Sequence, residues 1–353
     1  MFAWKPYTLT VGMPHMVPER LSEVELYKWL GAFQWESIAD LVGVPSARIV
    51  NEDGERLYAS FIDIELSVGG RAGGGPLGLQ HVDEGSHLHL VNGTRVHART
   101  FVEGLYLLDT QPVDDGVLAG IRDRADLEAT GRPWVSMDNA FVARFGGEND
   151  RLKVFAPAGL EKRDVPEAAD RPPGITEHGQ VQASGQVEAR WDVEGFRPLP
   201  LTDSAPVVYD VVPESDLNGA GLVYFARFVA MMDYGERVHL TQRIGRPLSR
   251  QLVPFLTTQR RRLFYFANAQ PWDQVKVRVW PRWRRTTDAT GRQDMPRFRA
   301  PLELELRIDL HRASDGVLMA SSRVLKRLVV PAHRKAVLSE AERFLGWLEA
   351  MPG

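Results

Sequence analysis

The chain has 353 residues, of which 44% are hydrophobic and 25% charged, and its formal net charge at pH 7 is −3. These values are ordinary for a globular protein, and the length exceeds one typical domain, so we expect two compact units. The chain contains no cysteine, which excludes disulfide bonds, thiolate metal sites and a thiol nucleophile.

No targeting or membrane segment is expected. Residues 1–6 do not combine a charged region with an apolar core, as a secretory signal peptide does. No apolar run approaches the roughly 20 residues that a membrane-spanning helix needs. We therefore expect a cytoplasmic protein that does not bind membranes.

The N-terminal half begins with a predicted helix. In residues 21–42, apolar side chains recur every three or four positions, as in an amphipathic helix, and Ser22 is placed to cap its start. Asn92-Gly93 lies between two strand-like runs and predicts a hairpin turn. The strand-like runs of this half lie at residues 57–66, 86–91, 94–108 and 134–145.

The C-terminal half repeats this order. A short strand at residues 207–212 leads to a predicted helix at residues 222–242. Ser314-Asp-Gly316 predicts a turn between the last two strands, and a final helix is predicted at residues 338–348. The predicted strands of this half lie at residues 263–267, 275–280, 302–311 and 317–330.

The repeated order of elements predicts an α+β fold with two similar units. A segment between the halves is rich in Pro, Gly, Asp and Glu and lacks periodicity, which is typical of a linker. We predict an N-terminal unit at residues 1–160, a linker at 161–203 and a C-terminal unit with a terminal helix at 204–353. A helix followed by antiparallel strands that curve around it is the arrangement of the hot dog fold.

The most informative motif is Asp216-Leu-Asn-Gly-Ala-Gly-Leu-Val-Tyr-Phe225, where a predicted strand leads into a buried helix. The first N–H groups of a helix lack internal partners and carry partial positive charge, so this junction can stabilise an oxyanion or enolate. The predicted catalytic residues are Asp216, Asn218 and Gly219. The predicted substrate-binding residues are Gly221, Leu222, Val223 and Tyr224. The alternative is a plain helix cap, since Asp and Asn favour that position.

Two further residues are candidates for the same site. His15 lies in the turn before the first helix, at a place equivalent to residues 214–218 in the second half. Tyr58 carries a hydroxyl at the start of the first long strand, with Ser60 and Tyr27 as other hydroxyls of this half. A turn histidine with no catalytic role is the alternative for His15.

A basic tract distinguishes the C-terminal half. Residues 243–299 contain fourteen Lys or Arg and three Asp, a local balance of +11, which leaves about −14 for the rest of the chain. Arginines beside a thioester site suit the phosphates of coenzyme A or of a phosphopantetheine arm. The predicted phosphate-binding residues are Arg260, Arg261, Arg262 and Arg284. A solvated strand face is the alternative, and nucleic acid is not expected, because the nearby aromatic residues lie in strands.

Two other patterns carry little functional weight. Gly73-Gly-Gly75-Pro-Leu-Gly78 formally matches a dinucleotide fingerprint, but a strand-like run follows it instead of the required helix. His81, His87, His89 and His97 lie close together in the chain, but no further ligand has the spacing of a metal site, so no metal is expected.

Four patterns together resemble one family: Val11-Gly-Met-Pro-His15, Leu21-Ser-Glu23, Gln34-Trp35 and the motif at residues 216–225. The motif is similar to the active-site stretch of hot dog thioesterases. Together the patterns resemble the double hot dog acyltransferase/decarboxylases of polyketide pathways, the leinamycin-type enzyme and related proteins. The resemblance covers most of the chain outside the linker and the final helix. It implies two antiparallel sheets, each wrapped around a central helix.

The resemblance also implies a reaction. In that family methylmalonyl-CoA acylates the enzyme, carbon dioxide is lost, and the propionyl group passes to an acyl carrier protein. A tyrosine of the first half is acylated there, and Tyr58 is the tyrosine of the strand predicted at residues 57–66. No cofactor is needed, because the thioester carbonyl of the coenzyme A or phosphopantetheine substrate is itself the electron sink.

Three hypotheses of function follow. The first is an acyltransferase/decarboxylase that uses malonyl-CoA or methylmalonyl-CoA and an acyl carrier protein. The second is a hot dog thioesterase or dehydratase, in which Asp216 activates water or acts with His15. The third is a hot dog protein without catalysis that binds carrier proteins. Monomer and homodimer both remain open.

Overall fold

The structure of the protein is a computed structural model that describes residues 2–68, 78–144, 152–168, 170–286 and 298–351. Its helices are α1 (Glu23–Val42), α2 (Asp115–Ala119), α3 (Arg124–Ala129), α4 (Pro173–Ser184), α5 (Pro213–Asp216), α6 (Phe225–Gln242) and α7 (Lys335–Glu349). Its strands are β1 (Ala3–Thr10), β2 (Met16–Val17), β3 (Arg20–Leu21), β4 (Tyr58–Ser67), β5 (His87–His97), β6 (Phe101–Asp109), β7 (Trp134–Arg144), β8 (Leu152–Val154), β9 (Glu167–Ala168), β10 (Arg197–Pro198), β11 (Val207–Asp210), β12 (Leu256–Tyr265), β13 (Gln274–Arg285), β14 (Phe298–Arg312) and β15 (Leu318–Pro331).

The described strands form one large, almost entirely antiparallel sheet. Its main path runs β1-β5-β6-β7-β4-β12-β15-β14-β13-β10, with β11 on β13, β8 on β7 and β9 on β5. The two halves meet where β4 pairs with β12, so that Arg261 lies opposite Leu66 and Leu263 opposite Ile64. The prediction of two separate sheets is therefore corrected to one continuous sheet, because backbone hydrogen bonds cross the boundary between the halves.

Each half contributes one long helix to a shared core. Leu26 and Leu30 of α1 and Phe228 and Met232 of α6 are buried in a single cluster with side chains from the strands of both halves. The two helices pack closely where Gly31 of α1 faces the ring of Phe225, and an added Cβ at Gly31 would lie 2.5 Å from that ring. A side chain larger than hydrogen at this position would push the helices apart.

The two long helices agree with their predictions. Helix α1 begins after Ser22, whose Oγ accepts a hydrogen bond from Glu25 N at 3.3 Å, as an N-cap residue does. Helix α6 begins three residues later than predicted, at Phe225, because the motif before it forms a hydrogen-bonded loop instead of a helical turn. The turn at Ser314-Asp-Gly316 is confirmed, with Gly316 at φ 74°.

The hairpin predicted at Asn92-Gly93 is wrong. Strand β5 runs straight through both residues, and the chain turns instead at Ala98 and Arg99, whose φ angles are 46° and 58°. Asn92 is fully buried, and its amide donates to Gln34 Oε1 at 3.3 Å. Gly93 leaves room for the ring of Trp4, which lies 2.4 Å from where a Cβ would be. These residues therefore serve packing between β1, α1 and β5.

The segment predicted as a linker contains regular structure. Helix α4 lies within it and packs on the first half, where a Cβ at Gly174 would lie 1.9 Å from the carboxylate of Asp63. Arg190, farther along the segment, forms an ion pair with Glu65 of β4 at 2.8 Å. Within the described ranges, no helix is long and apolar enough to cross a membrane.

Candidate active site

A cavity of about 220 Å³ lies between the two halves at the start of α6. The first half contributes Trp35 of α1, the first residues of β4 and Leu152. The second half contributes the loop at residues 217–224, here named the site loop, together with the start of α6 and the end of β12. Among the described residues that line the cavity, none is His, Asp or Glu, and the polar side-chain groups are carboxamides, hydroxyls and the indole N–H of Trp35.

Asn218 organises the site loop and also faces the cavity. Its Oδ1 accepts hydrogen bonds from Ala220 N at 2.9 Å and Leu222 N at 3.2 Å. Those two bonds fix the orientation of the carboxamide, so Nδ2 points away from the loop backbone. Nδ2 has no hydrogen-bond partner within the described part of the chain, and it is the polar donor that this side chain offers to a ligand.

Asn268 is a site residue that the sequence analysis missed. Its Oδ1 accepts from Val223 N at 2.8 Å, and its Nδ2 donates to Val223 O at 3.4 Å. The side chain therefore fixes the site loop to the end of β12 and lines the cavity from the opposite side. A lone asparagine after a strand has no pattern that distinguishes it from a turn residue, so no local sequence pattern identifies it as a site residue.

The backbone donors of the site differ from the predicted ones. The N–H groups of Gly221, Leu222 and Val223 donate to Asn218 O, Asn218 Oδ1 and Asn268 Oδ1 respectively. Helix α6 has no side-chain cap at Tyr224, and no acceptor within the described residues takes the N–H of Phe225 or Ala226. Tyr224 and Phe225 line the cavity. The backbone N–H groups without an acceptor at this wall therefore begin at Phe225, about one helical turn after the predicted donors of Gly221 to Val223.

Asp216 supports the site loop from behind and does not line the cavity. Its carboxylate is completely buried and accepts from Val212 N at 2.8 Å and from the Tyr209 hydroxyl at 3.1 Å. Arg227 of α6 forms an ion pair with it at 2.8 Å. The carboxylate thus joins the end of β11 to the first turn of α6 and holds the loop between them.

Gly219 and Gly221 have different roles in the loop. Gly221 has φ 70°, a left-handed conformation that glycine adopts without strain. Gly219 has no such angle, and nothing lies within 4 Å of a Cβ built on it. The loop geometry therefore requires the second glycine and not the first.

Four of the described residues that line the cavity carry hydroxyl groups. Tyr58 and Ser60 project from β4, and neither hydroxyl has a hydrogen-bond partner within the described ranges. The third belongs to Tyr224, and burial, with a smaller contribution from the charge of Glu25, raises its pKa to about 12. Tyr224 is therefore protonated at neutral pH. Tyr265 also lines the cavity, but its hydroxyl donates to Phe225 O at 3.2 Å.

His15 is not brought to this cavity. Its Nδ1 accepts from Gly12 N at 2.9 Å, and its ring packs edge-on against Trp29 with 4.5 Å between ring centres. Tyr27 is fully buried in the core, and burial raises its pKa well above the usual value. Neither residue lines the cavity that contains Asn218 and Tyr58.

The four predicted phosphate-binding arginines do not line the cavity, and each forms an ion pair with a carboxylate of this chain. Arg260 pairs with Glu128 at 2.8 Å, and Arg284 pairs with Glu303 at 2.7 Å. Arg261 is fully buried and pairs with Glu23 at 2.6 Å, and Arg262 pairs with Glu177. The excess positive charge of the tract is matched by acidic residues from other segments, which the local count of charges does not reveal.

Three histidines of strand β5 also have partners within the fold. His87 and His89 contact Thr10 and Thr8 of β1, and His97 contacts Glu103 at 2.9 Å. No group of three possible metal ligands occurs in the described part of the chain. Residues 73–77 of the glycine-rich motif lie outside the described residues.

The fold and this cavity place the chain among proteins with the hot dog fold. No protein-family model matches the chain, and no curated protein matches it. The crystal structure of a putative oleoyl thioesterase from Lactobacillus plantarum aligns with a TM-score of 0.53 over 93% of this chain and 97% of that chain, at 7% identity. That likeness shows that the two chains share a fold over nearly their whole lengths.

Two further solved structures give weaker alignments of similar extent. An acyl-ACP thioesterase from Bacteroides thetaiotaomicron has a TM-score of 0.47 and 10% identity, over 92% of this chain and 97% of that chain. The 12:0-ACP thioesterase from Umbellularia californica has a TM-score of 0.47 and 9% identity, over 93% of this chain and 97% of that chain.

Proposed function

We propose that the chain is a double hot dog acyltransferase/decarboxylase. It takes malonyl-CoA or methylmalonyl-CoA, releases carbon dioxide, and passes the remaining acyl group to an acyl carrier protein. The composition of the cavity wall carries this proposal. The wall offers hydrogen-bond donors and hydroxyls, while none of its described residues is a His, Asp or Glu that could activate water.

Loss of carbon dioxide beside a thioester suits such a wall. The bond between Cα and the carboxylate breaks, and its electron pair moves into the thioester carbonyl to form an enolate. Asn218 Nδ2 and the N–H group of Phe225 are the donors available to the enolate oxygen. A proton from water then returns to Cα. This step needs neither a cofactor nor a basic side chain.

Acyl transfer requires a nucleophile on the protein, and the hydroxyls of β4 supply one. Tyr58 attacks the thioester carbonyl, the C–S bond breaks, and coenzyme A leaves as a thiol with the hydroxyl proton. The thiol of the carrier protein then attacks the tyrosyl ester, the ester C–O bond breaks, the acyl group forms a thioester with the carrier, and the thiol proton returns to the tyrosine oxygen. Ser60, two residues along the same strand, is the alternative nucleophile.

Asp216 has a positioning role in this proposal. Its hydrogen bonds to Val212 N and the ion pair with Arg227 hold the site loop, and so hold Asn218 in place. Asn268 supports the same loop from the other side. Neither group needs to change its protonation state during the reaction.

The products test the proposal directly. Purified protein is incubated with methylmalonyl-CoA and a phosphopantetheinylated carrier protein, and all acyl products are quantified by mass spectrometry. We expect propionyl carrier protein, with one carbon dioxide and one coenzyme A released per transfer. Free methylmalonic or propionic acid as the main product would instead indicate hydrolysis, the reaction named for the structurally similar thioesterases.

A further inference from the structure

Two arginines beside Tyr58, a residue of the cavity wall, differ from the other arginines described above. The guanidinium carbon of Arg56 lies 5.1 Å from the centre of the Tyr58 ring, and that of Arg144 lies 5.5 Å from it. Within the described residues, neither arginine pairs with a carboxylate. Arg260, Arg261, Arg262 and Arg284 all do.

Arg144 lies where the two halves meet. It ends β7 of the first half, and its guanidinium donates to the carbonyl oxygen of Ala220 in the site loop. It therefore lies between Tyr58 and the loop that carries Asn218, both of which line the cavity. Its Nε is buried and has no partner within the described ranges. A buried donor without a partner costs free energy that a bound acceptor recovers.

Arg56 is the exposed residue of the two arginines beside Tyr58. It immediately precedes Leu57 and β4, and its side chain is exposed apart from the contact with Tyr58. A guanidinium group presents several N–H donors in a planar fork, which matches the oxygens of a phosphate or a carboxylate. One exposed and one partly buried guanidinium beside the same ring suit an anionic group that enters from solvent.

We propose that Arg56 and Arg144 bind the negatively charged group of the thioester substrate at the mouth of the cavity. The inference rests on the proposed function, since it concerns the substrate of that site. Two sources supply such an anion: the phosphates of the coenzyme A or phosphopantetheine portion, and the free carboxylate of the malonyl group. A carboxylate bound there would place the thioester next to Tyr58, whereas a bound phosphate would lie a pantetheine arm away from the thioester.

Equilibrium binding separates these sources without requiring turnover. The probes are coenzyme A, which has phosphates and no acyl carboxylate, and an unreactive malonyl-pantetheine amide, which has the carboxylate and no phosphate. An acetyl-pantetheine amide carries no charge and serves as the reference. The variants are Arg56→Gln and Arg144→Gln. Arg48→Gln is the matched control, because Arg48 is also exposed but does not contact Tyr58.

We expect Arg56→Gln to weaken binding of one charged probe by about tenfold, the loss of one exposed charge-assisted contact. Arg56→Gln should bind the acetyl probe as the natural protein does. Arg48→Gln should bind both charged probes as the natural protein does. The affected probe identifies the phosphate or the carboxylate as the anion. The affinity also falls with added salt, less steeply in Arg56→Gln.

Three results would overturn the inference: equal binding by Arg56→Gln and the natural protein, equal weakening of all three probes, or no binding of any probe. Arg144→Gln also removes the contact to Ala220, so Arg56 decides the outcome. Failure of the proposed function has a different signature. In that case coenzyme A binding depends on Arg56, but no acyl group is transferred or released.

Discussion

The two ends of the Asn218 side chain have different surroundings, and this separates a structural role from a catalytic one. Oδ1 accepts from two N–H groups of the site loop, while Nδ2 of this cavity-lining residue has no partner among the described residues. Aspartate keeps an oxygen for the loop N–H groups but removes the donor and adds negative charge. Alanine removes both contacts.

We therefore expect Asn218→Asp and Asn218→Ala to lower kcat by about 10²- to 10³-fold, the usual loss for one oxyanion donor. Thermal unfolding of Asn218→Asp should stay close to that of the natural protein, whereas Asn218→Ala should melt earlier. Steady-state kinetics and calorimetry measure the two effects. If Asn218→Asp is fully active, Asn218 only caps the site loop and has no catalytic role.

Asp216 is a residue whose identity suggests catalysis while its contacts indicate support. Replacement by alanine leaves Arg227 without its partner and removes the acceptor for Val212 N. We expect the free energy of unfolding to fall by about 3 kcal/mol, as for other broken buried pairs. Glu214→Ala, an exposed change in the same turn, should alter it by less than about 0.5 kcal/mol. Urea denaturation gives both values, and equal stabilities would contradict the supporting role.

At the scale of elements, the contact between α1 and α6 sets the shape of the cavity wall. Gly31 allows Phe225 to approach, and Phe225 in turn stacks on Phe61 of β4 with 3.8 Å between ring centres. Both phenylalanines line the cavity. The helix crossing therefore determines where the first turn of α6 presents its N–H groups.

Gly31→Ala tests this packing, because the close contact predicts that the substitution lowers the stability of the protein. Helix propensity alone would favour alanine by about 1 kcal/mol, but the added methyl overlaps the Phe225 ring, and such overpacking costs about 1–3 kcal/mol. We expect lower stability and lower kcat. Gly346→Ala in α7 has nothing within 4 Å and should increase stability slightly. A Gly31→Ala variant that is more stable and fully active would contradict the close contact.

The same scale shows what the sequence can and cannot predict. Period and capping predicted α1 and α6, because their apolar faces and the Ser22 cap are local signals. The hairpin at Asn92-Gly93 failed because its residues are used for tertiary contacts with Gln34 and Trp4. Strand β12 begins at Leu256, before the predicted start, because Arg260, Arg261 and Arg262 interrupt the apolar pattern but pair with carboxylates.

The candidate site also contains residues that local patterns predict and residues that only the fold brings together. The motif at residues 216–225 predicted the loop at the start of α6, and Tyr58 was predicted at the same cavity. Asn268 and Arg144 come from other segments and contact the site loop only through the fold, and Arg56 contacts Tyr58. No local pattern distinguishes them from surface residues.

At the scale of the whole molecule, a buried charge network ties the halves together beside the β4–β12 junction. Glu23 of α1 pairs with Arg261 of β12 at 2.6 Å, and Arg261 also contacts Asp233 of α6 at 3.1 Å. Lys326 of β15 lies 3.0 Å from Asp233. The halves therefore share charged partners as well as a sheet and a core.

Asp233 gives this network a measurable pH dependence. Burial acts to raise the pKa of Asp233, but the positive charges of Lys326 and Arg261 outweigh it and hold the pKa at about 2. A lowered carboxyl pKa stabilises the fold above the ordinary value near 4, and this contribution is lost as the pH falls towards 2. We expect the stability difference between the natural protein and Asp233→Asn to shrink over that interval. A constant difference, measured by urea denaturation from pH 5 to 2, would contradict the assignment.

The proposed function depends on a hydroxyl of β4 that accepts the acyl group inside the cavity between the halves. The most direct test is the intact mass of the protein after incubation with methylmalonyl-CoA in the absence of carrier protein, followed by peptide mapping. We expect one acyl group on the peptide containing Tyr58 and Ser60, which disappears in Tyr58→Phe and also in Asn218→Ala. Release of coenzyme A with no acylated peptide, or an adduct outside β4, would contradict the account.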